Sequence, residues 1–316
     1  MAAKNKPNEL YIERLYDAPV KMVWDAWVDP EKVAKWWGPR GFTLTSKQKD
    51  VRVGGTWTYM MHGPDGVDYP NKTVFHEVEK YSKLVYDHGA NDDQPAMFRV
   101  TVLFSENAGK TKMEMWMALA TPEQARETAK FIKKAGGNST WDRLAEYLAK
   151  EDTFVVTRTF EAPIDVMFDV WTDPNKFSKW LPPTGMTQTF IDVQVKPGGE
   201  GFYKMENAEG LKMYGKIQYK EIVKPNKLVY TQIFTDEKGE IARHPLAPTW
   251  PEKMLTTVRL YAETAETTRI EITWVIEGAA TDVERKTFHD AKSGMTQGWG
   301  GSFEKLDAYL AGRRSS

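Results

Sequence analysis

The residues that most often bind metals or act as nucleophiles are few and scattered in this sequence. The five histidines stand at positions 62, 76, 88, 244 and 289 without an H-x-x-x-H spacing, and the chain has no cysteine. Metal sites in proteins need several His, Cys, Asp or Glu ligands that the fold brings together, often from short spacings. We therefore predict no metal site, and a disulfide or a thiolate nucleophile is ruled out.

Paired glycines are the next candidates, because glycine-rich loops can hold phosphate groups. They occur in "VGGTW" at 53–57 and in "PGGEGF" at 197–202. Neither stretch has the G-x-x-x-x-G-K-[ST] pattern, and each precedes a predicted strand instead of a helix, which favours a tight turn. The sequence also has no G-x-S-x-G motif. We predict no catalytic residue and no cofactor.

Aromatic and methionine side chains point to a different chemistry, the binding of an apolar molecule. Alternation along the predicted strands places one set of these side chains on the inner face. The predicted cavity residues are Trp57, Tyr59, Met61, Met113, Met115 and Met117, and further along the chain Tyr203, Met205, Ile270, Ile272 and Trp274. Three inward methionines would form a deformable wall. A filled core explains the same pattern, and the residues alone leave both alternatives open.

Arg99, in "AMFRVTVLF", is the one charged residue that alternation can direct inward. If Thr101 and Leu103 face the cavity, Arg99 does too, and a buried guanidinium needs an anionic ligand or a carboxylate partner. If Val100 and Val102 face inward, Arg99 is solvated. We favour the solvated alternative, but Arg99 is kept among the candidate cavity residues.

The elements that would position these side chains occur twice. The stretches "YDAPVKMVWDAWVDPEKVAKWWGP" at 16–39 and "FEAPIDVMFDVWTDPNKFSKWLPP" at 160–183 share ten of 24 residues at an offset of 144. The same offset relates "KLVY" at 83–86 to "KLVY" at 227–230. Solenoid repeats recur every 20 to 50 residues or so, and this period is much longer. The pattern therefore indicates duplication of a whole domain, with one domain at 1–150 and the other at 151–316.

Each copy predicts the same order of elements. A strand leads into a helix that begins at a proline, and Asp-Pro at 29–30 and at 173–174 predicts an N-cap and the start of a second short helix. Trp36 and Trp180 are interpreted as structural staples of these helices. Six strands and a C-terminal helical region follow, with an interruption near Gly136 in the first copy. An insertion in the second copy falls in a proline-rich loop at 236–252.

The composition excludes some classes of partner. The 43 basic and 44 acidic residues almost cancel, so the chain lacks the basic surface that nucleic-acid binding requires. It has no apolar run of about 18 residues, the length that a membrane-spanning helix needs. We expect a cytoplasmic protein with neither a nucleic-acid partner nor a membrane-inserted segment. The 12 tryptophans indicate large cores or aromatic-lined pockets.

The repeated phrase, "VGGTW" and "KLVY" together resemble the family named for the activator of the heat-shock protein 90 ATPase, within the START-like (SRPBCC, birch-pollen-allergen-like) superfamily. The resemblance covers nearly the whole chain. It implies an α+β fold of two tandem helix-grip domains. In each, a curved antiparallel sheet, two short helices and a long C-terminal helix would enclose a hydrophobic cavity.

The expected function is the binding of a small hydrophobic or aromatic molecule without catalysis, because no acid–base pair can be named. Fold alone does not fix function, and two alternatives remain open. One is an enzyme that resembles the polyketide aromatase/cyclases. The other is a co-chaperone-type activator of the heat-shock protein 90 ATPase, which would have a protein partner.

Overall fold

A computed structural model describes residues 5–89, 95–134, 139–149 and 152–314. The chain divides into two compact units, Met1–Lys150 and Glu151–Ser316. The predicted helical interruption near Gly136 lies outside the described residues, as do Lys150 and Glu151 at the expected domain boundary. Among the described residues, none of the helices combines the length and the hydropathy that a membrane-spanning segment requires.

The first domain is an antiparallel sheet with helices, and its strands are ordered β1-β7-β6-β5-β4-β3-β2. Its elements in chain order are β1 (Glu9–Tyr16), α1 (Val20–Val28), α2 (Pro30–Val33), β2 (Thr43–Lys49), β3 (Thr56–His62), β4 (Asp68–Glu79), β5 (Lys83–Gly89), β6 (Phe98–Asn107), β7 (Lys110–Ala118), α3 (Pro122–Lys134) and α4 (Ser139–Leu148).

The second domain repeats this plan with the strand order β8-β14-β13-β12-β11-β10-β9. Its elements are β8 (Thr153–Phe160), α5 (Ile164–Thr172), α6 (Pro174–Trp180), β9 (Met186–Val193), β10 (Glu200–Asn207), β11 (Lys212–Val223), β12 (Lys227–Thr235), β13 (Lys253–Ala262), β14 (Thr268–Ile276), α7 (Asp282–Asp290) and α8 (Lys292–Arg314). The two tandem α+β helix-grip domains are thus confirmed, and the predicted loop at 236–252 separates β12 from β13.

The short helices begin as the sequence predicts, with one shift. The side chain of Asp29 accepts hydrogen bonds from the first backbone N–H groups of α2, and Asp173 does the same for α6, so both N-caps are confirmed. Pro30 and Pro174 occupy the first helical position, where proline has no N–H to lose. The prolines ahead of α1 and α5 stand one residue earlier than predicted, in the cap position.

The tryptophan staples are buried in both domains. Trp36 and Trp180 have no solvent-exposed surface, and each lies in the hydrophobic core of its own domain. The indole N–H of Trp36 donates to the carbonyl oxygen of Ala26 at 3.0 Å, and that of Trp180 donates to Val170 at 3.0 Å. Trp36 lies just after α2 and bonds to α1, and Trp180 is the last residue of α6 and bonds to α5. Each indole therefore fixes the geometry of the two short helices in its domain.

Candidate functional site

The first domain has a small cavity between its first helix and the inner face of its sheet. It is lined by Trp27, Val28, Trp37, Lys49, Val51, Trp57, Thr73, Phe75, Leu84 and Tyr86. The space open to the centre of a water molecule is about 10 Å³, which is the room that one water needs. A larger guest would therefore have to displace side chains.

Trp37, Trp57 and Tyr59 pack together at one side of the cavity, and we call them the aromatic wall. Trp37 and Trp57 line the cavity itself, whereas Tyr59 does not. Trp57 stacks on Tyr59 with the ring centroids 4.0 Å apart, and Trp37 meets Trp57 edge to face at 5.2 Å. The indole N–H of Trp37 donates to the Tyr59 hydroxyl at 3.1 Å. The indole N–H of Trp57 donates to the Ser46 hydroxyl at 2.8 Å. These bonds hold the rings in fixed orientations.

A β-bulge in β2 brings a lysine to the same face. Ser46 pairs with Tyr59 and Lys49 pairs with Trp57, with a register shift between Ser46 and Gln48. Residues directly opposite each other in an antiparallel pair share a face of the sheet. Ser46 and Lys49 are three residues apart, so strict alternation would place them on opposite faces. The extra residue of the bulge turns Lys49 inward.

The amine of Lys49 lies over the aromatic wall. Its Nζ is 3.2 Å from the centroid of the Trp57 ring. The residue as a whole stays partly exposed, whereas burial of the amine lowers the pKa of Lys49 well below its ordinary value. We attribute the shift to the surroundings of Nζ, because only the amine carries the charge. Burial raises the pKa values of Tyr59 and Tyr86, so both phenols are neutral near pH 7.

The second domain has different side chains at this point of its sheet. At the offset of 144, the first-domain trio of Ser46, Lys49 and Trp57 corresponds to the second-domain trio of Phe190, Val193 and Gly201. A Cβ atom at Gly201 would lie 3.1 Å from the Phe190 ring and 3.3 Å from a Val193 methyl group. Phe190 and Val193 therefore fill the space that Trp57 occupies in the first domain.

Trp274 is not among the side chains nearest Gly201. Trp274 packs instead against Phe154 at 6.0 Å and Trp299 at 5.8 Å, on a different part of the sheet. The gap is filled by the neighbouring strand β9. Tyr203, beside it, accepts a hydrogen bond from Gln232 at 2.7 Å, and burial raises the pKa of Tyr203 to about 12.

The structure also places the other predicted residues. Those that are buried are Trp57, Tyr59, Met113, Met115, Met117, Tyr203, Ile270 and Ile272. Met61, Met205 and Trp274 are partly buried. Of all these, Trp57 lines the cavity described above, and the others belong to the surrounding cores or their margins.

Arg99 lies on the outer face of the sheet, so its assignment to the cavity is corrected. Val100, Val102 and Phe104 are the buried residues of β6, which is the alternative that we favoured. The Arg99 guanidinium forms a two-bond ion pair with the carboxylate of Asp87, at 2.7 and 2.9 Å. That pair holds the pKa of Asp87 below its ordinary value.

Sequence reasoning missed Lys49 and most of the other lining residues. The available signal was the difference between the copies, because Val193 marks the Lys49 position as interior. The histidines, in contrast, are not gathered into a site. Within the ranges that the structure describes, no three His, Cys, Asp or Glu side chains are placed to hold a metal ion.

Comparison with known proteins gives one family and a set of similar structures. The chain matches the family described as "Activator of Hsp90 ATPase homolog 1-like protein" over residues 17–149 and 161–311. No curated protein matches it.

Three solved structures are among those to which this chain is similar. Protein NE0264 from Nitrosomonas europaea is 23% identical over 46% of this chain and 96% of its own, with a TM-score of 0.42. Protein Ms6760 from Mycobacterium smegmatis is 26% identical over 46% of this chain and 92% of its own, with a TM-score of 0.41. The di-domain ARO/CYC BexL of the BE-7585A biosynthetic pathway is 14% identical over 95% of this chain and 97% of its own, with a TM-score of 0.38.

Proposed function

The chain belongs to the Activator of Hsp90 ATPase homolog 1-like family, and from that premise we propose that its first domain binds a small hydrophobic or aromatic molecule without converting it. The observation that carries the proposal is the cavity beside the aromatic wall. Ligand sites are typically concave and apolar, with a few polar groups that orient the guest. Here the residues with polar groups in the lining include Lys49 and Thr73.

The comparison between the domains supports assigning the ligand to the first one. The second-domain trio packs Phe190 and Val193 where the first domain has an indole and an amine. The buried methionines of β7, Met113, Met115 and Met117, stand in the first-domain core. Their flexible thioethers can shift to admit a guest, whereas the branched side chains of Ile270 and Ile272 pack stiffly.

We propose that the protein acts in the cytoplasm on a free small molecule, and that neither nucleic acid nor a membrane takes part. An entering guest must displace side chains, because the present space holds about one water. Binding should therefore be accompanied by a local change around Trp57.

A reciprocal exchange of the two trios tests the proposal on the full chain. One variant combines Ser46→Phe, Lys49→Val and Trp57→Gly, and the other combines Phe190→Ser, Val193→Lys and Gly201→Trp. The neutral fluorescent probe N-phenyl-1-naphthylamine reports binding, and circular dichroism checks that each variant is folded. The first variant should fold, because the second domain already packs phenylalanine, valine and glycine at the equivalent positions of its own strands β9 and β10.

We expect saturable probe binding by the parent chain, at least about a tenfold loss in the first variant, and added binding in the second. Unchanged binding in a folded first variant would overturn the assignment to the first domain. If the parent chain takes up no probe at all, both cores are filled. The co-chaperone-type alternative, in which the domains contact a protein, would then replace the present proposal.

A further inference from the structure

The amine of Lys49 has an unusual environment for a lysine. Nζ lies 3.2 Å from the Trp57 ring centroid and lines a cavity whose other side chains are apolar or neutral. In the part of the chain that the structure describes, no carboxylate oxygen lies within 4.0 Å of this nitrogen. Burying an ammonium group without a carboxylate partner is costly, and the cost favours loss of the proton.

The fold itself does not require this amine. The second domain has the same bulge, with Val193 opposite Gly201 and Phe190 opposite Tyr203. A valine at the Lys49 position is therefore compatible with the same strands and the same register. The lysine in the first domain needs an explanation other than the architecture of the sheet.

An uncharged amine is a nucleophile, and two effects decide how much of it is present. Burial lowers the pKa of Lys49 well below its ordinary value, and the contact with the indole face acts in the other direction by favouring the ammonium form. Tyr86, the other titratable residue of the lining, stays neutral because burial raises its pKa. Burial prevails, so the amine loses its proton more readily than a surface lysine does.

We propose that Lys49 binds small apolar aldehydes covalently, as an imine formed beside Trp57. This inference rests on the proposed function and names the chemical class of the guest. The Nζ lone pair attacks the carbonyl carbon, and the carbonyl oxygen gains a proton as the nitrogen loses one, which gives a carbinolamine. Its C–O bond then breaks, the nitrogen gives up its second proton, the oxygen gains a proton and leaves as water, and a C=N bond forms. One amine and one aldehyde yield one imine and one water, without an oxidant or a reductant.

Reductive trapping tests the imine directly. The full chain is incubated at pH 7 with acetaldehyde and sodium cyanoborohydride, which converts an imine into a stable ethylated lysine, and peptide mass spectrometry measures the modification of each lysine. Lys47 is the matched control, because it is exposed on the same strand, two residues away. An ordinary lysine with a pKa near 10.4 is uncharged in only about one molecule in 2,500 at pH 7.

We expect Lys49 to be ethylated at least about tenfold faster than Lys47 at pH 7. The ratio should fall as the pH rises to 9, because each pH unit adds about tenfold more free amine at an ordinary lysine but less at a lysine whose pKa is already low. Equal or slower modification of Lys49 would overturn the imine. If the same chain still binds N-phenyl-1-naphthylamine, the proposed function stands without it, whereas loss of both results would overturn both.

Discussion

The two domains differ where their second and third strands meet, although the backbone there is the same. Both second strands have a bulge at this point. After the bulge, Lys49 lies opposite Trp57 in the first domain and Val193 lies opposite Gly201 in the second. The first-domain trio joins an indole, an amine and a hydroxyl, whereas the second-domain trio is apolar throughout. Features that both copies share are explained by folding. The difference between the copies is therefore the basis for proposing a binding role for this part of the first domain.

The indole of the first helix illustrates the distinction. The Nε1 atoms of Trp27 and of its equivalent Trp171 are both buried without a hydrogen-bond partner among the described residues. Trp27 lines the cavity, so its free N–H invites a ligand interpretation. The indole N–H of Trp171 is likewise buried without a partner, in a domain whose trio is apolar, so we attribute the unpaired N–H group to the fold. Lys49 has no such counterpart.

The largest effect is expected where the domains are most alike. Trp36→Ala and Trp180→Ala each remove a fully buried indole and its hydrogen bond to the first helix, so each should destabilise its domain by about 3–5 kcal/mol. Chemical denaturation followed by circular dichroism measures the loss. Met22→Ala is the control, because Met22 is exposed on α1. A Trp180→Ala variant that melts like the parent but loses a ligand would place Trp180 in a binding site instead.

The sequence was sufficient for the features that depend on local rules. The N-caps follow from Asp-Pro, the staples from the repeated tryptophans, and the domain plan from the repeat and the family resemblance. Lys49 could not be found from alternation, because one extra residue in β2 reverses the inward and outward faces after it. The face of β6 on which Arg99 lies was ambiguous for a related reason. Alternation defines two faces of a strand, and the burial of a neighbour such as Val100 is needed to show which of them is the inner face.

A second contrast concerns how each C-terminal helix holds the turn after the short helices. Arg143 of α4 donates from Nη1 to four backbone carbonyl oxygens of residues 37–42, at 2.8 to 3.3 Å. Burial lowers the pKa of Arg143 to about 10, yet it remains charged at pH 7. In the second domain, the equivalent Lys305 donates to the carbonyl oxygen of Pro182. The arginine therefore satisfies several carbonyl groups and the lysine one.

Substitution of these two residues should have unequal effects. Arg143→Met leaves several carbonyl groups without a donor and should cost about 2–3 kcal/mol, whereas Lys305→Met should cost about 1 kcal/mol. Thermal unfolding of both variants of the full chain, beside the parent, measures the difference. Equal losses would show that the network of Arg143 contributes no more than a single hydrogen bond.

A smaller effect, of opposite sign, is expected at Lys49. The pKa of Lys49 is lower in the folded chain than in the unfolded chain, where it is near 10.4. At a pH between these two pKa values, the unfolded chain binds more protons than the folded chain. Folding therefore becomes less favourable as the pH falls through this window. Below the folded-state pKa the cost is constant. Lys49→Met should therefore stabilise the chain at pH 7 by about 1 kcal/mol, after the loss of the ring contact is subtracted.

The dependence on pH makes this prediction specific. The gain from Lys49→Met should shrink as the pH rises toward the ordinary lysine pKa, because the parent lysine then begins to lose its proton in the unfolded chain as well. Lys47→Met, on the exposed side of the same strand, should change stability by no more than about 0.5 kcal/mol at either pH. Denaturant titrations at pH 7 and pH 9.5 compare the two variants. A gain that grows with pH would mean that the amine is held as a stabilised cation.

The smallest effect is expected at Arg99, and it separates the outer face from the cavity. Arg99 is 55% exposed, and its ion pair with Asp87 is accessible to water, so Arg99→Ala should cost about 0.5 kcal/mol or less. The loss should diminish further in 1 M salt, which screens exposed charges. Affinity for N-phenyl-1-naphthylamine should not change, because the guanidinium lies on the opposite side of the sheet from Val100 and Val102. Weaker probe binding by a folded Arg99→Ala variant would return Arg99 to the site and show that the ligand lies on the outer face.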